Sequence, residues 1–354
     1  MPSLDLSAAL REQVREAAAD GSPLNIAGGG SKSFYGRPAT GADLSVAGHS
    51  GIVDYQPTEL VLTARAGTPL ATLAAALHGQ GQMFGFEPPH FGATATLGGT
   101  VACGLSGPRR PYAGAVRDAV LGVRLLNGKG EILSFGGQVM KNVAGFDVSR
   151  LMAGALGTLG VLLDISLKVL PQPEAEETLV FEMTAADALA AMNRWAGQHW
   201  PLSAACHEGG RLHLRLSGAQ AAIRASRAKL GGDSLAHSDA FWAGLREQRL
   251  VFFDDPTPLW RLSLAPATPA PALPGRCCID WGGALRWLKT DAPAEAVFAA
   301  AQAAGGHATL FRGGERAGPI FQALPERLQA LHLQLKKAFD PQGIFNPGRL
   351  YEAW

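Results

Sequence analysis

Leu6, Leu10, Val14 and Ala18 recur at every fourth position ahead of Gly21, a spacing that predicts an amphipathic helix with Ser7 as its cap and the glycine as its stop. A short strand, Leu24 to Ala27, runs into Gly28-Gly29-Gly30-Ser31-Lys32-Ser33. Leu60 to Ala64 reads as a strand, and Thr68-Pro69 opens a helix to His78 with proline in its first position. Ala119 to Leu126 and Glu131 to Phe135 flank Asn127-Gly128, a strong hairpin signal. Asp147 caps a short helix that ends at Gly154, and Lys141 is a further capping residue. Leu163, Ile165, Leu167 and Val169 alternate with Asp164, Ser166 and Lys168, the pattern of a half-buried strand, which Pro171-Gln172-Pro173 closes.

The texture changes after Pro173. Strand-like Leu179 to Phe181, a helix near 185–198, strands near 202–206 and 211–216 and a helix near 219–230 predict an antiparallel α+β layer. Strands near 259–265 and 284–289, a helix near 293–304 and a strand at 308–311 look like a second copy, separated internally by the proline-rich loop Ala265 to Gly275. A helix carrying Leu324, Leu328, Leu331 and Leu335 leads to an irregular tail, Asp340 to Gly348. The expected division is 1–173, 174–322 and a C-terminal segment 323–354 that returns to the first part.

Two glycine stretches stand out against this pattern. Phe91 to Arg110, FGATATLGGTVACGLSGPRR, holds five glycines and little side chain, leaving bare backbone for something to lie against. Gly28 to Ser33 places a lysine beside two hydroxyls in a loop of the kind that cradles phosphate. It is not a P-loop, because Ile26 and Ser31 stand where that motif needs glycine. Nor is it a Rossmann fingerprint, since Ser33 takes the third glycine position and no acid closes a strand downstream. The bland reading of both stretches is a surface turn.

Composition narrows the partners. With 31 basic and 30 acidic residues the net charge is +1, with no block of like charge, which argues against nucleic acid. At 354 residues the chain is long enough for about two domains. Charged residues make up 17% against a usual value of about 25%, compatible with surface hidden against other subunits. Cys103, Cys206, Cys277 and Cys278 have no metal-ligand spacing, so neither zinc nor an iron–sulfur cluster is expected, and the thiols read as buried and reduced. The N-terminus has no apolar leader and no run is long enough to span a bilayer, so a cytoplasmic protein is expected, with any membrane contact peripheral.

In order along the chain, GGGSK, EPPHFGATATLGG, YAGAVRDAVLGV, NGKGEILSFGG, KNVAGFDVSRL, GALGTLGVLLDISLKVLP and DPQGIFNPGRL resemble the FAD-binding family of vanillyl-alcohol oxidase and p-cresol methylhydroxylase. EPPHFG, GPRRPYAG, GGQVMKNVAGFDVSRLM and GGHATLFR are most similar to the flavin-binding E-type subunits of bacterial glycolate oxidases. The resemblance implies an α+β fold: a two-part FAD-binding domain plus an antiparallel α+β cap. It implies that Gly28, Gly29, Gly30, Ser31 and Lys32 meet the FAD pyrophosphate, and that Thr96, Leu97, Gly98 and Gly99, with Ala102, Ser106 and Gly107 behind them, run along it towards the flavin ring. Val161 and Pro88 match further cofactor-lining positions. Relatives with a tethered flavin have a histidine in the first loop where this chain has only glycine and serine, so non-covalent FAD is implied and Cys103 is a packed small residue.

The resemblance weakens in the second part. Relatives that oxidise 2-hydroxy acids carry a histidine-rich metal motif there; this chain has only His207 and His213 across a hairpin, which reads as a satisfied surface hairpin without metal. Oxidising a 2-hydroxy acid needs a base for the hydroxyl proton and a cation for the carboxylate beside the flavin. His307 and Arg312 could supply them, with His90 and the Arg109-Arg110 pair as alternatives, while Arg109 and Arg110 could equally meet an acidic partner; no catalytic residue is identified. The implied role is the FAD-binding subunit of a glycolate oxidase, working with a sister flavin subunit and an iron–sulfur subunit. The alternatives are an autonomous 2-hydroxy-acid dehydrogenase of the D-lactate type and a non-catalytic assembly subunit.

Overall fold

The computed structural model describes residues 3–137 and 147–354. Lys141, expected as a cap, lies outside the described residues. The chain forms two compact units: 1–105, 115–172 and 323–354 make the first, and 106–114 with 173–322 make the second.

The first unit opens with α1 (Ser7–Asp20), which buries Leu10, Val14 and Ala17 and stops at left-handed Gly21. Ser7 is the first helical residue and not the cap; Leu6 holds the N-cap position without a side-chain bond, and the carboxylate of Asp5 before it accepts from the Ser7 N–H at 2.9 Å. β1 (Leu24–Ala27) pairs in parallel with β2 (Ala42–Ser45). β3 (Ile52–Gln56) and β4 (Val61–Arg65) are followed by α2 (Leu70–His78). Pro69 precedes the α2 helix as its N-cap, while the Thr68 hydroxyl turns back to the Arg65 carbonyl at 2.6 Å.

After α3 (Leu97–Cys103) come β5 (Val120–Leu126), β6 (Ile132–Gly136) and β7 (Val161–Lys168). The five strands form an antiparallel sheet in the order β3-β4-β7-β5-β6. The β5–β6 hairpin forms, but through a longer turn than Asn127-Gly128 suggests. Asn127 Oδ1 accepts from the N–H groups of Lys129 and Glu131, and the left-handed residue is Gly130. β7 alternates as expected yet is buried on both faces. Its polar side meets protein: Ser166 meets the Thr63 hydroxyl at 2.8 Å and Asp164 pairs with Arg124. The helix Glu326–Phe339 and the tail behind it complete this unit.

In the second unit, β8 (Ala175–Glu182), α4 (Ala185–Ala196), β9 (Leu202–Glu208), β10 (Arg211–Gly218), α5 (Gln220–Leu230) and β11 (Asp233–Ser234) form one βαββαβ half. β12 (Leu259–Ser263), β13 (Arg276–Asp280), β14 (Leu285–Lys289), α6 (Ala294–Ala303) and β15 (His307–Arg312) form the other. The sheet order β11-β8-β10-β9-β13-β14-β12-β15 is a palindrome of the two halves, joined where His207 pairs with Ile279. The repeat seen in the sequence is therefore real, with one substitution: where the first half has α4, the second has the proline-rich loop. Buried Arg286 pins that loop, donating to the Thr268 carbonyl at 2.9 Å. β13 carries no sequence prediction because its short run, Cys277 to Ile279, follows the loop without alternation.

Candidate functional site

β1 delivers the chain to a cavity of about 370 Å³ within the first unit, in the range of about 300–1,000 Å³ typical of small-molecule and cofactor sites. Two stretches of bare backbone form its wall. The loop after β1 lies against the segment that starts α3 so closely that a Cβ on Gly28 would stand 2.5 Å from Thr96 Oγ1, and one on Gly29 would collide with the Thr94 carbonyl. Thr96 is the α3 N-cap, its hydroxyl accepting from the Gly99 N–H at 3.3 Å. Glycine at 28 and 29 thus follows from packing as well as from access to a ligand.

The charge of the cavity is one-sided. Lys32 and Arg349 line it, and no aspartate or glutamate does among the described residues. Lys32 is 6% exposed, and its ammonium donates to the His90 carbonyl at 3.2 Å and lies 3.4 Å from Ser31 Oγ. Arg349 donates to the carbonyls of Ser33, Tyr35 and Arg37, fixing the end of the loop. Val46, Met152, Leu159 and Leu162 supply apolar wall. Cations over naked backbone at one part and aliphatic side chains at another suit a ligand that is anionic in one portion and apolar in another, which fits a flavin dinucleotide.

The C-terminal tail builds the remaining side. Asn346 accepts from the Ile26 N–H and donates to the Leu156 carbonyl, both at 2.7 Å, so one amide ties β1 to the turn before β7. Below it, buried Lys336 donates to Asp340 at 2.6 Å and to the carbonyls of Thr158 and Phe345 at 2.8 Å. Sequence reasoning missed Asn346, Arg349, Lys336 and the 155–160 turn as site residues. The available signals were the motifs GALGTLG and DPQGIFNPGRL, which hold the turn, Asn346 and Arg349.

Of the expected cofactor residues, Gly28, Gly29, Gly30, Ser31, Lys32, Thr96, Gly98, Gly99 and Ala102 line the cavity together. Leu97 and Val161 are fully buried in the hydrophobic core, and Pro88 is buried away from the lining. Ser106 and Gly107 belong to the second unit, because the chain leaves the first after Leu105. Cys103 lines the cavity half-buried, its thiol pushed up to about 11 by burial, against the pull of Lys32 and Arg349. The thiols are not all buried: Cys277 is exposed, at the outer end of β13.

The substrate bets scatter. His90 holds Lys32 through its backbone. His307 and Arg312 sit exposed at opposite ends of β15, roughly 16 Å apart at about 3.3 Å per residue, too far to serve one small acid. Arg109 pairs with Glu176 and Ser217, whereas Arg110 stacks on Trp281 at 4.3 Å. The turn of the His207–His213 hairpin, Gly209 to Arg211, is exposed, but both imidazoles are buried: His213 stacks on Phe241 with centroids 3.9 Å apart, and burial lowers its pKa to about 4. Neither ring's Nδ1 has a hydrogen-bond partner, so the hairpin is not fully satisfied. Among the described residues no cluster of three or more His, Cys, Asp or Glu could hold a metal, and no helix is long and apolar enough to cross a membrane.

Residues 6–136 match the family described as FAD binding domain. The chain is 52% identical to glycolate oxidase subunit GlcE of Escherichia coli K12 over 98% of both chains. It is 30% identical to glycolate oxidase subunit GlcD of Bacillus subtilis over 36% of this chain and 27% of that one. To a D-lactate dehydrogenase of Anaerostipes hadrus it is 33% identical over 43% of this chain and 31% of the other. Alkyldihydroxyacetonephosphate synthase shares its fold with a TM-score of 0.65 at 15% identity, over 96% of this chain and 74% of that structure.

Proposed function

Because this chain belongs to the family of glycolate oxidase subunit GlcE and carries an FAD-binding domain, we propose that it is the FAD-holding subunit of a complex that oxidises glycolate or a related 2-hydroxy acid. The carrying observation is the first unit's cradle, in which two backbones meet with no room for a Cβ, two cations line the wall and, among the described residues, no carboxylate does. Bound there, a flavin supplies the hydride acceptor that alcohol oxidation requires. Lys32 and the loop from Gly28 to Ser31 would hold the anionic portion, and Arg349 and Asn346 would keep that loop and β1 in place. Attachment is non-covalent in this reading: the first loop has no histidine, and a Cys103 thiol raised to about 11 is a poor nucleophile near neutral pH.

Division of labour between subunits is supported by the second unit, where His307 and Arg312 do not converge. Electrons would pass to a sister flavin subunit and an iron–sulfur subunit, and contact with a membrane would be through that complex. The test is the visible spectrum of the purified chain. Bound flavin that bleaches anaerobically with glycolate only when the sister subunit is present is the expected result. Bleaching by the chain alone would replace this reading with an autonomous dehydrogenase. Flavin that never bleaches in the complex would leave an assembly role, and a chain that holds no FAD even when it is added would sink the proposal.

A further inference from the structure

His49 is fully buried in the turn between β2 and β3, and its backbone is fixed on both sides. Its N–H donates to the Val46 carbonyl at 3.0 Å, and its carbonyl accepts from the Gly67 N–H at 2.8 Å. The ring joins two separate elements: Nδ1 accepts from the backbone N–H of Leu6 at 3.0 Å, and Nε2 faces Asp164 Oδ1 on β7 at 3.5 Å. A ring nitrogen that accepts carries no proton, so His49 is the neutral tautomer with its proton on Nε2. That proton is poorly used. Among the described residues neither Nε2 nor Asp164 Oδ1 has a hydrogen-bond partner, and 3.5 Å is long for an N–H···O bond.

A second carboxylate lies on the Nδ1 side. Asp5 Oδ1 is 3.7 Å from Nδ1 and accepts from the Ser7 N–H at 2.9 Å, one of the donors that a helix leaves without an intrahelical acceptor. Behind the two carboxylates stand two arginines: Arg65 at the end of β4 reaches Asp5 Oδ2 at 3.4 Å, and Arg124 on β5 pairs with Asp164 Oδ2. Hydrogen bonds from Ser7 hold the Asp5 pKa to about 2. Burial pushes Asp164 up, but His49 and Arg124 outweigh it and keep that carboxyl below its ordinary value. Both carboxylates therefore stay charged while a histidine titrates, and they attract a second proton to the ring from both sides. That proton can sit only on Nδ1, where it displaces the Leu6 N–H. We propose that His49 is a proton-operated latch on the start of α1: neutral, it holds Leu6; charged, it releases Leu6, closes on Asp164 and draws Asp5 away from Ser7. The antiparallel bridge between Leu4 and Ser50, with hydrogen bonds of 2.8 and 3.1 Å, keeps the segment attached in both states, so the change is confined to residues 5–7.

Amide hydrogen exchange of the full chain, corrected for the intrinsic rate and read from about pH 8 to about pH 5, tests the latch. Protection at Leu6 and Ser7 should fall about three- to tenfold as the pH drops, the loss expected for one hydrogen bond, while Leu10, Val14 and Ala17 keep theirs. His49→Asn keeps an acceptor near the Nδ1 position and has no charge to gain, so its protection at Leu6 and Ser7 should not change with pH. His49→Phe should give low protection throughout; if it shows no cooperative melt, His49→Asn decides alone. Nitrogen NMR of the full chain labelled at histidine should show the Nε2–H tautomer of His49 at the upper pH. The Nδ1–H tautomer there overturns the latch, as does protection at Leu6 and Ser7 that ignores pH in the parent or falls equally in His49→Asn. Protection lost evenly along α1 also overturns it, since a general loosening in acid needs no latch.

Discussion

Neighbouring glycines in the first loop have different reasons to be glycine, and the difference is measurable. Gly29 has the Thr94 carbonyl where a Cβ would stand, so Gly29→Ala must push two backbones apart; loss of flavin from the purified protein and a lowered melting temperature are expected. Gly30 has open space but φ +72°, so Gly30→Ala should cost only about 1 kcal/mol and keep its flavin. Equal loss in both variants would show that strain, not close approach, governs the loop. His213 makes a second case. Burial lowers its pKa to about 4 from 6.5, so between these values the unfolded chain binds more protons than the folded one. Stability present above pH 6.5 is therefore lost as pH falls towards 4, by an amount on the order of 3 kcal/mol. Denaturant melts across that range should show a shallower slope for His213→Phe than for the parent.

Among the elements, the tail after Phe339 has the least regular structure and an outsized role. Its Asn346 satisfies the Ile26 N–H and the Leu156 carbonyl, two backbone groups on separate segments of the cavity wall. Asn346→Ala would leave both without that partner, at about 1–3 kcal/mol each, and should raise the FAD dissociation constant along with the loss of stability. Flavin fluorescence released on dilution would measure it, and unchanged retention would remove the tail from the site. The repeat in the second unit shows the same lesson differently. Apart from β11 and β13, the pattern of strands and helices was legible in both halves, but the proline-rich loop that replaces α4 is held by Arg286 reaching the Thr268 carbonyl, a contact across 18 residues that no local pattern encodes.

For the whole molecule, the open question of attachment has a direct readout: acid precipitation should release all the flavin, and yellow colour left in the pellet would contradict the reading of Cys103 as an unreactive thiol. The sequence by itself determined the elements and most of the cradle. Hydrophobic period sets helix and strand locally, and only glycine permits two backbones to approach as Gly28 and Gly29 approach the segment before α3. Tertiary structure alone decided which residues share a site. It sent Ser106 and Gly107 to the second unit, buried both faces of β7, separated His307 from Arg312, brought Asn346 and Arg349 to the first loop, and set Arg110 and Arg261 on one tryptophan. Those outcomes depend on contacts between residues far apart in the chain, whose free energies arise only when the two segments are packed together, so no stretch of sequence carries them on its own.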